Sequence, residues 1–265
     1  HGFGSLDGVA SAKGEIFDRL GETDIAVINA DQPWAKQWRK RAAPAGILDF
    51  GLEQPAAISD RDIHSRGVEG ISFTASTPVG DISIRLTLPG VHNVANALAA
   101  VAAGLACNLS LIDIRDGLEA LQPVDGRLRS IRTAQDVVVV DDCYNANPGS
   151  VRAAIDMLAS CPGRRTLVLG AMLELGANSG ALHREVGEYA RTSGIDQLWG
   201  VGQELEVCVK AFGANGRFFD DRAAVLSALE GQFGAGDTVV VKGSRGAGME
   251  QVLKALLQNF KIKEG

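Results

Sequence analysis

The chain has 265 residues, 46% of them hydrophobic and 22% charged, so it can bury proper cores and is not a disordered segment. That length suits one large domain or, better, two. A net charge of −6 argues against a broad surface for nucleic acid or anionic membrane, because both demand a basic field, although a few local cations can still grip a phosphate.

In chain order, the apolar spacing of Val9, Ile16, Phe17 and Leu20 predicts a helix over Leu6–Leu20, with Lys13 among them. Asp24–Asn29 reads as a buried strand ending at Asp31-Gln32-Pro33. Ile71–Ser76 and Asp81–Leu88 read as paired strands around Pro78-Val79-Gly80, and the alternation of Ile82, Ile84, Leu86 and Leu88 gives one buried face. Asn93–Cys107 is an Ala-rich helix, apolar nearly all round and therefore expected to be buried. Its apolar run, Ala97–Cys107, is too short to cross a bilayer.

From about residue 128 the rhythm changes. Strand-like runs at Asp136–Val140, Thr166–Leu169, Gln197–Val201, Arg217–Phe219 and Thr238–Lys242 alternate with helical patterns near 150–160, 180–192, 203–212, 221–231 and 247–259. Such alternation indicates a parallel sheet covered on both faces. The fold class is therefore α/β. A first part with a mixed sheet and helices, residues 1–127, precedes a Rossmann-like domain with a mainly parallel sheet, residues 128–265. In such sheets ligands sit outside the carboxyl ends of strands, which draws attention to Asp141–Pro148, Ala171–Gly176 and Gly243–Gly248.

Cys107, Cys143, Cys161 and Cys208 lie far apart without a CxxC pair, which fits reduced thiols of a cytoplasmic protein better than disulfides or zinc. No signal peptide is visible. The chain enters a helix pattern almost at once after His1, so a fragment of a longer protein is expected.

The cluster Asp141-Asp142-Cys143-Tyr144-Asn145-Ala146-Asn147-Pro148 is the most informative stretch. A carboxylate there can accept from ribose hydroxyls, and amides can hydrogen-bond a purine edge or a phosphate. Helix capping explains one Asn and the Pro but not all six polar positions. Asn93 and Asn96 share a face near a helix N-terminus, where capping by itself is the better account. Val240–Gly248 follows a strand and opens a helix, a setting in which Lys242 and Arg245 can meet an anion, or in which the glycines simply make a turn. It is not G-x-G-x-x-G, and the chain contains no G-x-x-x-x-G-K-[ST]. By default Glu174 is a solvated loop carboxylate, His183 a helix-surface residue, His92 a structural histidine and Lys13 a lysine whose amine reaches solvent.

AKGEIF (12–17), INAD (28–31), LPGVHNVANALAA (88–100), GRL (126–128), DDCYNANPGS (141–150), LGAMLELG (169–176) and VKGSRGAGME (241–250) occur in one order along the chain. In these motifs it resembles the Mur ligase family, and the DxYNANP form resembles the branch that adds D-alanyl-D-alanine. The resemblance implies an ATP-dependent amide ligase that joins D-alanyl-D-alanine to UDP-N-acetylmuramoyl-tripeptide through an acyl phosphate in peptidoglycan synthesis, using ATP and Mg²⁺. A monomer is expected, with no nucleic acid partner and no membrane span.

The resemblance also implies roles. Lys13 would be carbamylated and hold a Mg²⁺, Asn93 and Asn96 would meet adenine, and Arg127 would reach the ATP phosphates. Asp142 would bind ribose, with Tyr144, Asn145 and Asn147 lining the nucleotide site. Lys242 and Arg245 would face the cleft near the reacting groups or the dipeptide, with Glu174 and His183 as weaker candidates. Departures are a missing P-loop, for which the chain alone is expected to be inactive, and His1 where the family's A-H-L-E-G-F-G-S stretch has Glu. Ala171 stands where an acidic residue is common. The rival readings are a Mur-type ligase of the meso-diaminopimelate or folylpolyglutamate type, or a non-catalytic nucleotide-binding module.

Overall fold

The computed structural model describes residues 5–260. The opening of the HGFGS stretch, including His1, lies outside the described residues. Contacts divide the chain into two compact units. The first comprises the chain up to His64, Ser72–Leu86 and Val91–Leu121; the second comprises Ser65–Ile71, Thr87–Gly90 and the chain from Gln122 onward.

In the first unit, helix α1 covers Leu6–Gly14, and the Ser5 side chain caps it by accepting from the Gly8 N–H. The sequence predicts a helix to Leu20, but α1 stops at Gly14 and a single 3-10 turn, Glu15–Phe17, follows. A Cβ at Gly14 would come within 3.0 Å of the Trp38 ring and the Arg41 guanidinium. Close packing therefore favours glycine there, and glycine weakens the helix.

Strand β1 (Ile25–Asn29), helix α2 (Ala35–Ala42) and strand β2 (Gly46–Phe50) follow, with β1 and β2 parallel. Strands β3 (Ser59–Ser65), β4 (Ile71–Thr77) and β5 (Gly80–Leu86) form a separate sheet in that order. Helix α3 (Val91–Ala106) packs on β1 and β2, and α4 (Leu111–Glu119) packs on β5. The expectation that this Ala-rich helix is buried all round is corrected. Val94, Ala97, Leu98, Val101 and Ala102 are buried, while Ala100 and Ala103 face solvent. Exposing a methyl costs little, so alanine on the outer face is tolerated.

The second unit is the expected α/β domain. Its strands are β6 (Arg129–Arg132), β7 (Val138–Asp142), β8 (Arg165–Gly170), β9 (Gln197–Val201), β10 (Gly216–Phe219) and β11 (Thr238–Lys242). They lie in the order β10-β9-β8-β11-β7-β6, all neighbours parallel except the edge pair β6–β7. Helices α5 (Pro148–Ala159), α6 (Ser179–Thr192) and α7 (Glu206–Phe212) cover one face. Helices α8 (Arg222–Ala228) and α9 (Glu250–Gln258) cover the other, over Val139, Trp199 and Val241.

Two features of this sheet position the site. Strand β11 lies between β7 and β8, so the loop that leaves it borders the loops leaving both neighbours. Strand β7 also starts two residues later than predicted, because Asp136, at φ 60°, closes a turn by donating its N–H to Thr133 O. Asp141 and Asp142 therefore end the strand instead of opening the loop. Among the described residues, no helix is long and apolar enough to cross a membrane.

Candidate active site

The loop after β7 is stitched to the turn at residues 126–128. Gly126 N donates to Asp141 Oδ2 (2.9 Å), and Tyr144 N donates to Gly126 O (3.0 Å). Gly126 has φ +77°, and a Cβ there would lie 3.0 Å from the Tyr144 Cβ, so only glycine suits this crossing. Asp141 also accepts from Cys143 N, which makes it the residue that shapes the loop. Beyond this crossing, the Arg127 guanidinium lies 4.5 Å from the Tyr144 ring centroid, with both side chains exposed. A planar cation stacked on a phenol offers a charged, flat surface that suits an anionic or aromatic ligand.

Beneath the loop is a buried ion pair. Lys242 Nζ donates to Asp142 Oδ2 (2.6 Å) and to Asn145 O (2.9 Å), and its side chain is only 2% exposed. Burial raises the Asp142 carboxyl to about 6, against the pull of the Lys242 ammonium and the Leu128 N–H, and Asp141 adds to the rise. Removing either partner alone leaves a buried charge, which costs roughly 3–5 kcal/mol. Lys242 was expected to face the cleft near reacting groups. Its side chain instead points under the loop and ties Asp142 to the Asn145 backbone. Strand continuity explains this: TVVVK is buried at every position, so Lys242 takes an interior place that only an anion makes tolerable.

The remaining residues of the loop divide by task. Asn147 caps α5: its side chain accepts from Ser150 N (2.9 Å), and Ser150 Oγ accepts from Asn147 N (3.1 Å). Asn145 Oδ1 accepts from Ala146 N, and the residue is exposed. Arg245 is exposed in the 3-10 turn after β11. Glu174 is exposed, with φ 63°. In the first unit, Asn96 Nδ2 donates to Asn93 Oδ1 (3.2 Å), so the two asparagines share one face of α3. Lys13 stands exposed on the last turn of α1. The structure thus gathers Arg127, Asp142, Tyr144, Asn145 and Lys242 in one cluster of the second unit. Asn93, Asn96 and Lys13 belong to the first.

Two residues were missed or misplaced by sequence reasoning. His183 was expected on a helix surface but is fully buried, because α6 turns that face toward the loop after β8. Ser244, 4% exposed, carries no motif that marks it in the sequence. Its Oγ donates to Ala146 O (3.1 Å) and accepts from Leu173 N (2.9 Å), and its N–H donates to Ala171 O (3.0 Å). A small hydroxyl one residue past a buried glycine, at the end of an all-apolar strand, was the available signal.

Beside this cluster, at the carboxyl ends of β8 to β11, is a cavity of about 550 Å³ lined by Leu173, Gly202, Glu204, Asp221, Arg222 and Gly246, among others. Its wall carries charges of both signs next to apolar patches. Arg222 is fixed there by donating from Nη1 to Ala247 O (2.8 Å).

Comparison with known proteins fits this arrangement. The Mur ligase middle domain matches residues 1–104, and the domain described as Mur ligase, glutamate ligase domain matches residues 126–245. The chain is 43% identical over 263 residues to the UDP-N-acetylmuramoyl-tripeptide–D-alanyl-D-alanine ligase of Escherichia coli (strain K12), covering 97% of this chain and 57% of that protein. The Bacillus subtilis (strain 168) protein of the same name is 32% identical over 265 residues, with 97% and 56% covered. A crystal structure of MurF from Acinetobacter baumannii superposes with a TM-score of 0.88 at 32% identity, covering 97% of this chain and 56% of that one. The MurF ligase from Thermotoga maritima in complex with ADP superposes at 0.82 and 25% identity, with 97% and 58% covered. The chain thus spans a little over half the length of these relatives.

Proposed function

This chain belongs to the Mur ligase family, and from that premise we propose that it forms part of a cytoplasmic, ATP-dependent ligase joining D-alanyl-D-alanine to UDP-N-acetylmuramoyl-tripeptide in peptidoglycan synthesis. The observation that carries the reading is the exposed Arg127–Tyr144 stack at the mouth of the Asp142 loop, set at the carboxyl edge of a parallel sheet. The relatives' names supply the substrates. We place the boundary between a central ATP-binding portion, 1–127, and a C-terminal ligase domain, 128–265, at the Gly126 turn.

A carboxylate does not react directly with an amine, because its charge repels the nucleophile and oxide is a poor leaving group. ATP supplies the activation: phosphoryl transfer to the tripeptide carboxylate gives an acyl phosphate, and phosphate then leaves as the dipeptide amine forms the amide. What this chain contributes is alignment and charge. Arg127 neutralises the phosphates. Asp142, with 12% of its side chain still exposed, accepts from a ribose hydroxyl, while Tyr144, Asn145 and Asn147 line the nucleotide. In the first unit, Asn93 and Asn96 offer side-chain amides suited to the edge of an adenine. Arg245 faces the acceptor, the cavity beside Leu173 takes the dipeptide, and Lys242 serves from below by fixing Asp142 and Asn145.

Magnesium fits less well. Among the described residues, no three His, Cys, Asp or Glu side chains converge to hold an ion, and Lys13 is exposed. No step is therefore assigned to a metal here. Carbamylation of Lys13 is proposed from the family resemblance, and carbon-13 bicarbonate labelling reads it directly.

Phosphate release by the natural full-length protein, with ATP and the UDP-linked tripeptide, tests the reading. D-alanyl-D-alanine should support turnover and single amino acids should not; the reverse preference rejects it. In the same assay, Asp142→Ala is expected to raise the KM for ATP about tenfold, the worth of one charge-assisted hydrogen bond. If only the peptide KM moved, Asp142 would not bind the nucleotide. In the parent protein the ATP KM should climb as pH falls through about 6, where Asp142 gains its proton and stops serving as an anionic acceptor. The stability term has the opposite sign. A carboxyl raised from 3.8 favours the folded state below 3.8 and loses that contribution as pH rises through about 6. Asp142→Asn should flatten both profiles.

A further inference from the structure

We propose that His183 is a positioning residue for the acceptor substrate: its buried imidazole sets the backbone of the loop after β8 and thereby the cavity wall at Leu173. The inference rests on the ligase reading given above and goes beyond it, because His183 touches neither the nucleotide loop nor the cavity directly.

The two nitrogens of the ring have separate partners. His183 Nδ1 lies 2.8 Å from Ser179 O, and a carbonyl oxygen can only accept, so Nδ1 carries the hydrogen. The Met172 N–H can only donate, so Nε2, 3.0 Å from it, accepts and carries no hydrogen. The imidazole is held as one tautomer, a bridge from the first turn of α6 to the loop. Its neighbours complete the clamp. Ala171 O accepts from Ser244 N, and Leu173 N donates to Ser244 Oγ. Three successive residues are thus pinned, one by His183 and two by Ser244.

The pinned loop has a definite product. The Leu173 side chain lies over Gly246, where an added Cβ would meet its Cδ1 at 2.7 Å, and both residues line the cavity of about 550 Å³. Glu174 follows at φ 63°, a conformation that non-glycine residues adopt at a cost of about 1 kcal/mol or more and that persists only where the surroundings impose it. The two clamps differ in reach. Ser244 Oγ also donates to Ala146 O in the nucleotide loop, whereas the hydrogen bonds of His183 end in the β8 loop and its own helix. Loss of His183 should therefore act on the acceptor side alone, and loss of Ser244 on both sides.

Two nearly isosteric variants separate positioning from bulk stability. In His183→Gln the amide oxygen can replace Nε2 as acceptor for Met172 N. In His183→Asn the amide can replace only Nδ1. Assayed in the natural full-length protein, His183→Gln should keep the D-alanyl-D-alanine KM within about twofold of the parent. His183→Asn should raise it about tenfold, the worth of one buried hydrogen bond, with the ATP KM unchanged. Ser244→Ala should raise both constants, and Ser244→Thr should restore them. Equal KM values in the Gln and Asn variants, or an ATP KM that moves with the dipeptide KM, overturns the proposal. Nitrogen-15 shifts of the parent imidazole provide a readout that needs no variant: an Nε2–H tautomer overturns it outright. If the parent uses no dipeptide at all, the ligase reading falls; if it does and His183→Asn behaves like the parent, only this inference falls.

Discussion

Gly187→Ala is expected to destabilise the second unit by about 2–3 kcal/mol, although alanine ordinarily strengthens a helix interior by about 1 kcal/mol over glycine. Gly187 is buried in the middle of α6 where that helix meets α7. A Cβ at this position would lie 2.1 Å from Cys208 O, a backbone atom of α7 that no rotamer change can move aside. The helices would have to separate, and the separation would loosen Val186, Ala190, Leu205 and Cys208, which share one core. Urea unfolding followed by circular dichroism checks this: the midpoint should fall with the slope unchanged. A midpoint equal to or above the parent's would mean that the helices have slack the structure does not show.

Arg127→Ala should lower kcat by about 10²–10³, the usual cost of losing one preorganised charge aimed at a reacting phosphoryl group. The KM for the dipeptide should stay within about twofold, because Arg127 does not line the cavity beside Leu173 in which the dipeptide is proposed to sit. Arg127→Lys should recover only part of the loss, since an ammonium keeps the charge but not the planar face that lies 4.5 Å from the Tyr144 ring centroid. Tyr144→Phe keeps that face and should retain most of the parent rate. Rapid-quench measurement of ADP formation isolates the phosphoryl step. A parent-like burst rate in Arg127→Ala would remove the guanidinium from that step.

The second unit was legible in the sequence because its strands are interior ones. VVVDD, RTLVLG, QLWGV and TVVVK each hold an apolar stretch buried on both faces, and helix-length segments separate them, a pattern typical of a parallel sheet. Strand β6 escaped notice because RSIR is a short edge strand with one partner. In the first unit β3, SDRDIHS, is polar at nearly every position, and α2, AKQWRKRA, shows too few apolar residues for periodicity to register.

The site was legible by residue type more than by orientation. The Asp-rich loop announced polar chemistry, but sequence could not tell that Asp141 would bind backbone, that Asn147 would cap a helix or that Lys242 would turn inward. Each of those outcomes depends on which way the strand end faces. That is fixed by β11 lying beside β7 with Lys242 opposite Asp142, a register no local pattern records. His183 was misjudged for a related reason: a histidine on an amphipathic helix has no sequence mark that separates the buried face from its rim.

The central place of β11 also bears on how the chain comes to be assembled during synthesis. Its two partners, β7 and β8, precede it by about a hundred and about seventy residues: both emerge well before Thr238, and until it arrives each has an unpaired rim in the middle of what will be the sheet. Unpaired rims of apolar strands invite wrong partners, including other nascent chains. A ribosome stalled before Thr238 would therefore display a split sheet with two adhesive margins, and release of the final thirty or so residues would zip it shut.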